Sequence, residues 1–291
     1  MYDRVTTEEV LLRVKHIGRC AALLRGMVPL LAALVGGCSE ALSQSCVAPP
    51  EGAAASARVV TVIDGDTVVL SSGEEVRLVG IQAPKLPLGR AGFEAWPLAP
   101  EARDALEEMA GGRHAVLWSS GAAGDRHGRV LAHVYVEDGE GRFVWLQGAL
   151  LANGLARVYT FADNRACASD MLAAEARARA AGLGMWGLAS YRILDAGDAD
   201  RLKRLSGTFQ IVEGRVRQVA EVRGRGYLNF DDDWREDFTV TVAPGDLKLF
   251  ANDGAGLSAY EGRRVRARGW LRSFNGPLIE ATHPEQIEVL E

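Results

Sequence analysis

Apolar and polar positions alternate in short bursts between residues 59 and 81. Apolar runs at 59–63, 68–70 and 76–81 are separated by Asp64-Gly65-Asp66 and by Ser71-Ser72-Gly73. Val/Ile/Leu runs of this length, broken by Asp-Gly and Ser-Gly, predict three strands joined by tight turns. A Gly/Pro-rich stretch follows at 86–97, and then the period changes. Pro100 suits a first helical position, Ala102, Leu106 and Met109 share one stripe, and Gly111-Gly112 stops the run, so a helix is predicted there. Strands are expected at 116–119 and 130–136 on either side of a turn at 125–129. Helices follow at 144–154 and 165–181, the second ended by Gly182.

Residues 195–204 are polar, helical or loose, and mark a break in composition. Beyond them the pattern is strand-like, at 208–216, 227–230, 238–242, 265–271 and 278–280, with room for one short helix within 244–257. Five strands with a helix between the third and fourth is the order of an OB-type barrel. Arg264, Arg266 and Arg268 alternate with Val265, Ala267 and Gly269, giving one cationic strand face, read as a solvated outer surface. Asp231-Asp232-Asp233 offsets much of that charge.

The first half carries a set of motifs in a fixed order. They are Ile63-Asp64-Gly65-Asp66-Thr67, Val76-Arg77-Leu78-Val79-Gly80-Ile81, Asp125-Arg126-His127-Gly128-Arg129, Asn153-Gly154-Leu155-Ala156-Arg157-Val158 and Gly184-Met185-Trp186. Together they resemble the staphylococcal-nuclease-like (thermonuclease) family. The resemblance implies a five-stranded OB-type barrel with helices packed on it, and calcium-dependent cleavage of DNA and RNA phosphodiesters. The expected fold is therefore mainly β with α: a nuclease-like OB barrel with packed helices, plus a second, C-terminal OB-like β-barrel. The expected division is an exported leader at 1–45, a linker at 46–58, the nuclease-like domain at 59–190, a linker at 191–206 and the OB-like domain at 207–291.

The resemblance also assigns roles. Asp66 matches a calcium ligand, with Asp64 beside it; Arg77 and Arg129 match the catalytic arginines that grip the phosphate and its transition state. The family then has an Asp as second metal ligand and a Glu placed to act on the attacking water. Here that stretch reads Gln82-Ala83-Pro84-Lys85. Gln82 keeps an oxygen without the charge, and Lys85 reverses the sign where a base is wanted. Calcium affinity follows the number of anionic ligands, so calcium, if held at all, is expected to be held in the millimolar range. Arg77, Lys85 and Arg129 together read as an anion cradle; the other reading pairs Arg77 and Arg129 with Asp66 and Asp64, holding the turn together with no ligand. Glu94, Glu101 and His127 are the remaining candidates for a base.

Composition narrows the partners. The 291 residues carry a formal net charge of −5, so nucleic acid, a nucleotide phosphate or another anion has to be met by a local cationic patch. Arg13, Lys15, Arg19 and Arg25 precede an apolar run at 26–37, too short to span a bilayer, which ends in Val35-Gly36-Gly37-Cys38. That ending looks like a bacterial lipobox with Cys38 lipidated; a plain membrane-tethering helix or a misread start is the other reading. Export is common to most of these, to the periplasm, to the envelope through a lipid anchor, or into the medium, with no transmembrane domain left in the mature chain. Cys46 and Cys167 are then the only thiols left, and in an oxidising compartment they close a disulfide or stay as two buried thiols.

Three functions stay open: a nuclease with altered metal use or no cofactor; a catalytically degenerate homologue that binds an anionic or phosphate ligand; and an envelope protein that contacts partners only.

Overall fold

The computed structural model describes residues 45–232, 236–251 and 256–290. Cys38, with its expected lipidation, and the apolar leader around it lie outside the described residues. The first half is built on β1 (Ala54–Asp64), β2 (Thr67–Leu70), β3 (Glu75–Leu78), β5 (His114–Trp118) and β6 (Val130–Glu137). β1 pairs antiparallel with β2 and with β5, β2 with β3, and β5 with β6, while β3 and β6 run parallel. The ring of pairings is closed, and no edge is left open. Alternation fills it: Val59, Val68, Leu70, Val76, Leu78, Ala132 and Val134 are buried.

β1 reaches back to Ala54, inside the stretch read from its Pro, Ala and Gly content as a linker, because Ala54 and Ala55 pair with Leu117 and Val116. Helix α1 (Ala99–Ala110) covers β1 with Ala99, Ala102, Leu106 and Ala110. Helices α2 (Leu146–Ala152) and α3 (Ala168–Ala180) close the same end, behind β7 (Phe143–Trp145), which takes the residues expected to open the first of them. A short pair, β4 (Ile81–Gln82) with β8 (Arg157–Val158), joins the strand after the barrel's first hairpins to the segment before α3. Cys46 and Cys167 form a disulfide with Cα atoms 5.7 Å apart, and the Cys46 N–H donates to Asp170 Oδ2 at 2.8 Å.

The second half begins with β9 (Leu194–Asp195) and α4 (Ala199–Arg204), whose Leu202 is fully buried. The strands β10 (Phe209–Arg215), β11 (Gln218–Val222), β12 (Arg225–Asn229), β13 (Thr239–Val242), β14 (Arg264–Phe274) and β15 (Gly276–Ala281) form one sheet in the order β11-β12-β13-β15-β14-β10-β9. Only Val216 and Arg217 separate β10 at one side from β11 at the other, so the sheet curls into a half-barrel. Leu228, Val240, Val242, Leu271 and Ile279 line its inside, and α5 (Leu247–Phe250) lies in the interval where a short helix was expected. β16 (Ile287–Val289) adds to β14.

Of the arginine row on β14, Arg264 faces solvent and Arg266 and Arg268 do not. Arg268 is 1 % exposed and pairs with the fully buried Glu175 of α3 through two 3.0 Å hydrogen bonds, and also with Glu288. Arg266 pairs with Glu213 at 2.6 Å, and Arg264 reaches the other oxygen of the same carboxylate. The alternation was read correctly; the expected solvation holds at Arg264 and fails at Arg266 and Arg268, because Glu175 and Glu288 supply counter-charges from elsewhere in the chain. Two further polar contacts cross at the same place: Thr160 with His283 Nε2 at 2.7 Å, and Arg165 with Glu285 at 2.7 Å. Trp270 Nε1 donates to Tyr159 Oη, and the Arg157 guanidinium lies 4.5 Å above the Phe209 ring.

A buried pair of this kind is costly to break and not costly to replace. Arg268→Met is expected to destabilise the protein by about 3–5 kcal/mol, because Glu175 is left charged and buried. The double change with Glu175→Leu should recover most of that loss in a urea titration. An additive double mutant would show that the two side chains do not act as a pair.

His133 and His283 are both buried and neutral, each pushed down to about 4, mainly by burial. Their folded values lie below the unfolded value near 6.5, so below that pH the unfolded chain takes up protons first. Stability is full above pH 6.5 and falls as pH approaches 4. Between pH 7 and 5 the loss is expected to be about 2 kcal/mol per histidine. His283→Gln should flatten the fall in urea midpoint over that range.

Candidate functional site

The turn between β1 and β2 puts Asp64 and Asp66 on the barrel wall. Gly65 between them is required by space: a Cβ there would lie 2.7 Å from the Cβ atoms of both Ala83 and Ala102. The turn therefore presses against α1 and against the segment after β4, and Asp66 is fully buried while Asp64 is 5 % exposed. The Asp66 N–H donates to Asp64 Oδ1 at 3.1 Å, and the Ala83 N–H donates to Asp66 Oδ2 at 2.8 Å.

Lys85 reaches into this turn. Its ammonium lies 2.7 Å from each oxygen of Asp66 and 3.1 Å from Asp64 Oδ2. Arg77 completes the arrangement from β3, with Nη2 3.2 Å from Asp66 Oδ2. The same Nη2 donates to the Ile81 carbonyl at 2.7 Å, and Nη1 donates to the carbonyls of Leu78 at 2.7 Å and Asp66 at 3.3 Å. Two carboxylates thus meet two cations, and the cluster is neutral as a whole.

The electrostatics follow from these contacts. Burial alone would raise the Asp66 carboxyl, but Arg77 and then Lys85 overcome it and hold it well below the usual carboxylate range. Asp64 goes the other way. Burial and the neighbouring Asp66 charge raise it, and Lys85 offsets only part of that.

The other expected members stand apart from this centre. Arg129 precedes β6, two residues before Leu131, the register partner of Arg77, and so lies on the same side of the strand. Its guanidinium is held by its own turn, with Nε and Nη2 2.8 and 2.6 Å from Asp125 Oδ2. His127 is exposed, and its backbone N–H donates to the same Asp125. Glu94 and Glu101 are exposed. Arg77 and Lys85 are therefore brought together, over Asp64 and Asp66, and Arg129 answers a different carboxylate.

Gln82 is turned away from the acidic pair. Its Oε1 accepts from Arg157 Nε at 3.0 Å and from Nη2 at 2.7 Å. Arg157 is the residue that sequence reasoning missed: it is buried, pushed down to about 10 by that burial, and fixes Gln82 across the β4–β8 pair. The signal was present, since Arg157 is the one charge between Leu155-Ala156 and Val158, inside an apolar run.

These residues do not fit a calcium ion. An ammonium already holds the three oxygens on which such an ion would depend, and the neutral amide at the second ligand position is engaged with Arg157. Among the described residues no three His, Cys, Asp or Glu side chains come together in a form that holds a metal.

Comparison with known proteins agrees with the fold. A family model described as staphylococcal nuclease homologue matches residues 75–188, from β3 to just beyond Trp186, and begins after the Asp64–Asp66 turn. Protein ParB of Escherichia coli is 34 % identical over 157 residues, covering 51 % of this chain and 81 % of that protein.

The cluster yields a direct test. Lys85→Met leaves two carboxylates to share Arg77, and a loss on the order of 3 kcal/mol is expected. Lys85→Glu together with Gln82→Asp should instead create a site whose melting temperature rises with millimolar calcium, while the parent protein does not respond. Equal calcium responses in the two proteins would mean that the ammonium does not exclude the ion.

Proposed function

Because the chain belongs to the staphylococcal nuclease homologue family, we propose that it is an exported member that has kept the family barrel and given up calcium-dependent hydrolysis. The observation that carries this reading is the position of the Lys85 ammonium, 2.7 Å from both oxygens of Asp66. A hydrolytic centre of this family type needs a cation that polarises the phosphate and a base that activates water. The Lys85 charge is spent on Asp66 and Asp64, and it stands where a base is wanted. Arg77 is likewise committed, to Asp66 and to three carbonyls. The guanidinium best placed to meet a phosphate is that of Arg129, which is partly exposed and would exchange Asp125 for the ligand.

Anion binding without turnover is accordingly the function we assign to this barrel. Export to an oxidising compartment is part of the same reading, supported by the Cys46–Cys167 bridge. No helix among the described residues is long and apolar enough to cross a membrane.

Single-stranded DNA and RNA incubated with the purified protein, in calcium, in manganese and in chelator, decide the matter on a gel. No product is expected under any of the three conditions. Calcium-dependent product formation would restore the competing reading, a nuclease in which Lys85 swings away from the acidic pair.

A further inference from the structure

Between α3 and β9 the chain makes two short 3-10 turns, Gly184–Gly187 and Ala189–Tyr191. Gly184 packs against the backbone of Gly154: a Cβ there would lie 2.4 Å from the Gly154 carbonyl oxygen. The Met185 N–H donates to that same oxygen at 2.9 Å, and Met185 is buried. This anchor sets the course of both turns, and they enclose a cavity of about 240 Å³. Its side-chain lining is Arg179, Trp186, Leu188, Tyr191, Arg192 and Ile193. The walls are thus two aromatic rings and two aliphatic side chains, with guanidinium groups beside them. No residue of the Lys85 centre takes part.

The polar side chains of this lining offer donors and no carboxylate. Tyr191 Oη already donates to the Pro97 carbonyl at 2.8 Å. Arg179 is engaged too, with Nη1 2.7 Å from Glu175 Oε1 and Nη2 3.9 Å from Glu288 Oε2. Arg192 is exposed, and its guanidinium has no partner among the described residues. The Trp186 indole nitrogen is buried and also has no hydrogen-bond partner among them. A buried N–H without an acceptor is destabilising, and native structures rarely leave one. The nearby carboxylates do not answer Arg192. Glu175 and Glu288 are held by Arg268 and Arg179, and Glu213 by Arg264 and Arg266. Asp195, two residues past Ile193, accepts from the Gly197 N–H and makes no ion pair with Arg192. With Asp195 counted, the arginines still outnumber the carboxylates by one. Arg157 adds to that excess: its guanidinium lies 6.0 Å from the Tyr191 ring and donates to the neutral Gln82.

We propose that this cavity binds a small carboxylate carried on a flat apolar body the size of one aromatic ring. The Arg192 guanidinium meets the carboxylate through charge-assisted hydrogen bonds, for which its planar fork is suited. The apolar body lies against Trp186, Tyr191 and Leu188. Size decides against a nucleotide, since drug-sized ligands occupy about 300–1,000 Å³ and this cavity is smaller. Charge decides against a phosphate monoester. A dianion calls for a second free cation, and Arg179 is already held by two carboxylates. The assignment goes beyond the reading of the Lys85 centre and does not depend on it.

Titration of the whole nitrogen-15-labelled protein with sodium benzoate, followed by NMR, tests the assignment. Neutral benzamide and inorganic phosphate serve as the comparison probes. The Trp186 indole N–H resonance, identified by its loss in Trp186→Phe, is expected to shift on adding benzoate. Benzamide and phosphate should bind about 10-fold more weakly or less, because each lacks either the charge or the apolar body. Arg192→Gln should weaken benzoate by about 10- to 100-fold, the range for hydrogen bonds to a charged group. Its melting temperature should not move, since the side chain is exposed. Absence of benzoate binding by the parent, or binding that Arg192→Gln leaves unchanged, would overturn the assignment. So would binding that leaves the Trp186 resonance in place, or benzamide or phosphate binding as tightly as benzoate.

Discussion

A fully buried carboxylate needs a counter-charge at contact distance, and Asp66 imposes that condition on everything around it. Transferring a carboxylate out of water costs several kcal/mol even after relaxation, and the Coulombic return at about 3 Å and an intermediate dielectric is of the same order. Geometry therefore decides the net result. In this protein the return comes from two tethered cations and a backbone N–H: Lys85, Arg77 and Ala83. A diffusible divalent ion would serve the same electrostatic end, but it would have to displace a covalently attached ammonium whose effective concentration is high. Lys85 thus acts as a resident cation. Its consequence for chemistry is that no Lewis acid is brought to a phosphate by this turn.

The same solution recurs at Glu175. That carboxylate is fully buried on α3 and is met by Arg268, Arg179 and the Val158 N–H. Burial alone would raise it, and Arg268 brings it below its ordinary range. Here the cation comes from β14, more than ninety residues away in the chain. The residues from Cys46 to Glu291 form one compact unit, and this pair is one of the reasons. The Cys46–Cys167 bridge adds a constraint of a different kind, closing a loop of sequence separation 121 and lowering the entropy of the unfolded chain by about 4–5 kcal/mol in the loop-closure picture.

What was legible in the sequence was what depends on local period. Most strands of both halves, the stripe of α1 and the turn at Asp64-Gly65-Asp66 follow from apolar spacing and Gly placement, which act over a few residues; β11, polar and exposed along much of its length, was not read. Pairings across the chain were not legible. Lys85 was recognised as a reversal of sign, yet its partners could not be read; Arg77, Lys85 and Arg129 looked like an anion cradle, and the alternative pairing with Asp66 and Asp64 holds for Arg77 but not for Arg129. The fold gives two of them to Asp64 and Asp66 and the third to Asp125. Arg266 and Arg268 of β14 were misread for the same reason: alternation shows that they share a face, and only the fold shows that Glu175 and Glu288 cover it. Ala54 and Ala55 carry too little side chain to declare a strand, and join β1 only because Val116 and Leu117 lie alongside them.

The distribution of these cations explains why a net charge of −5 says little about what a ligand meets at the surface. Buried arginines and lysines do not attract ligands, because their fields are cancelled within a few ångströms by the carboxylates they serve. Arg268, Arg266, Arg77 and Lys85 are all of this sort. What a ligand meets is the remainder at the surface, screened beyond about 8 Å at physiological salt. Net charge summed over the chain is a poor guide to that remainder. On the outer face of the C-terminal sheet, Arg225 and Arg272 share Glu280 beside the exposed rings of Trp270 and Phe274. Asp237, whose carboxylate accepts from Thr239 Oγ1, adds a second negative group to the same face, so its local sign is not set by the two arginines.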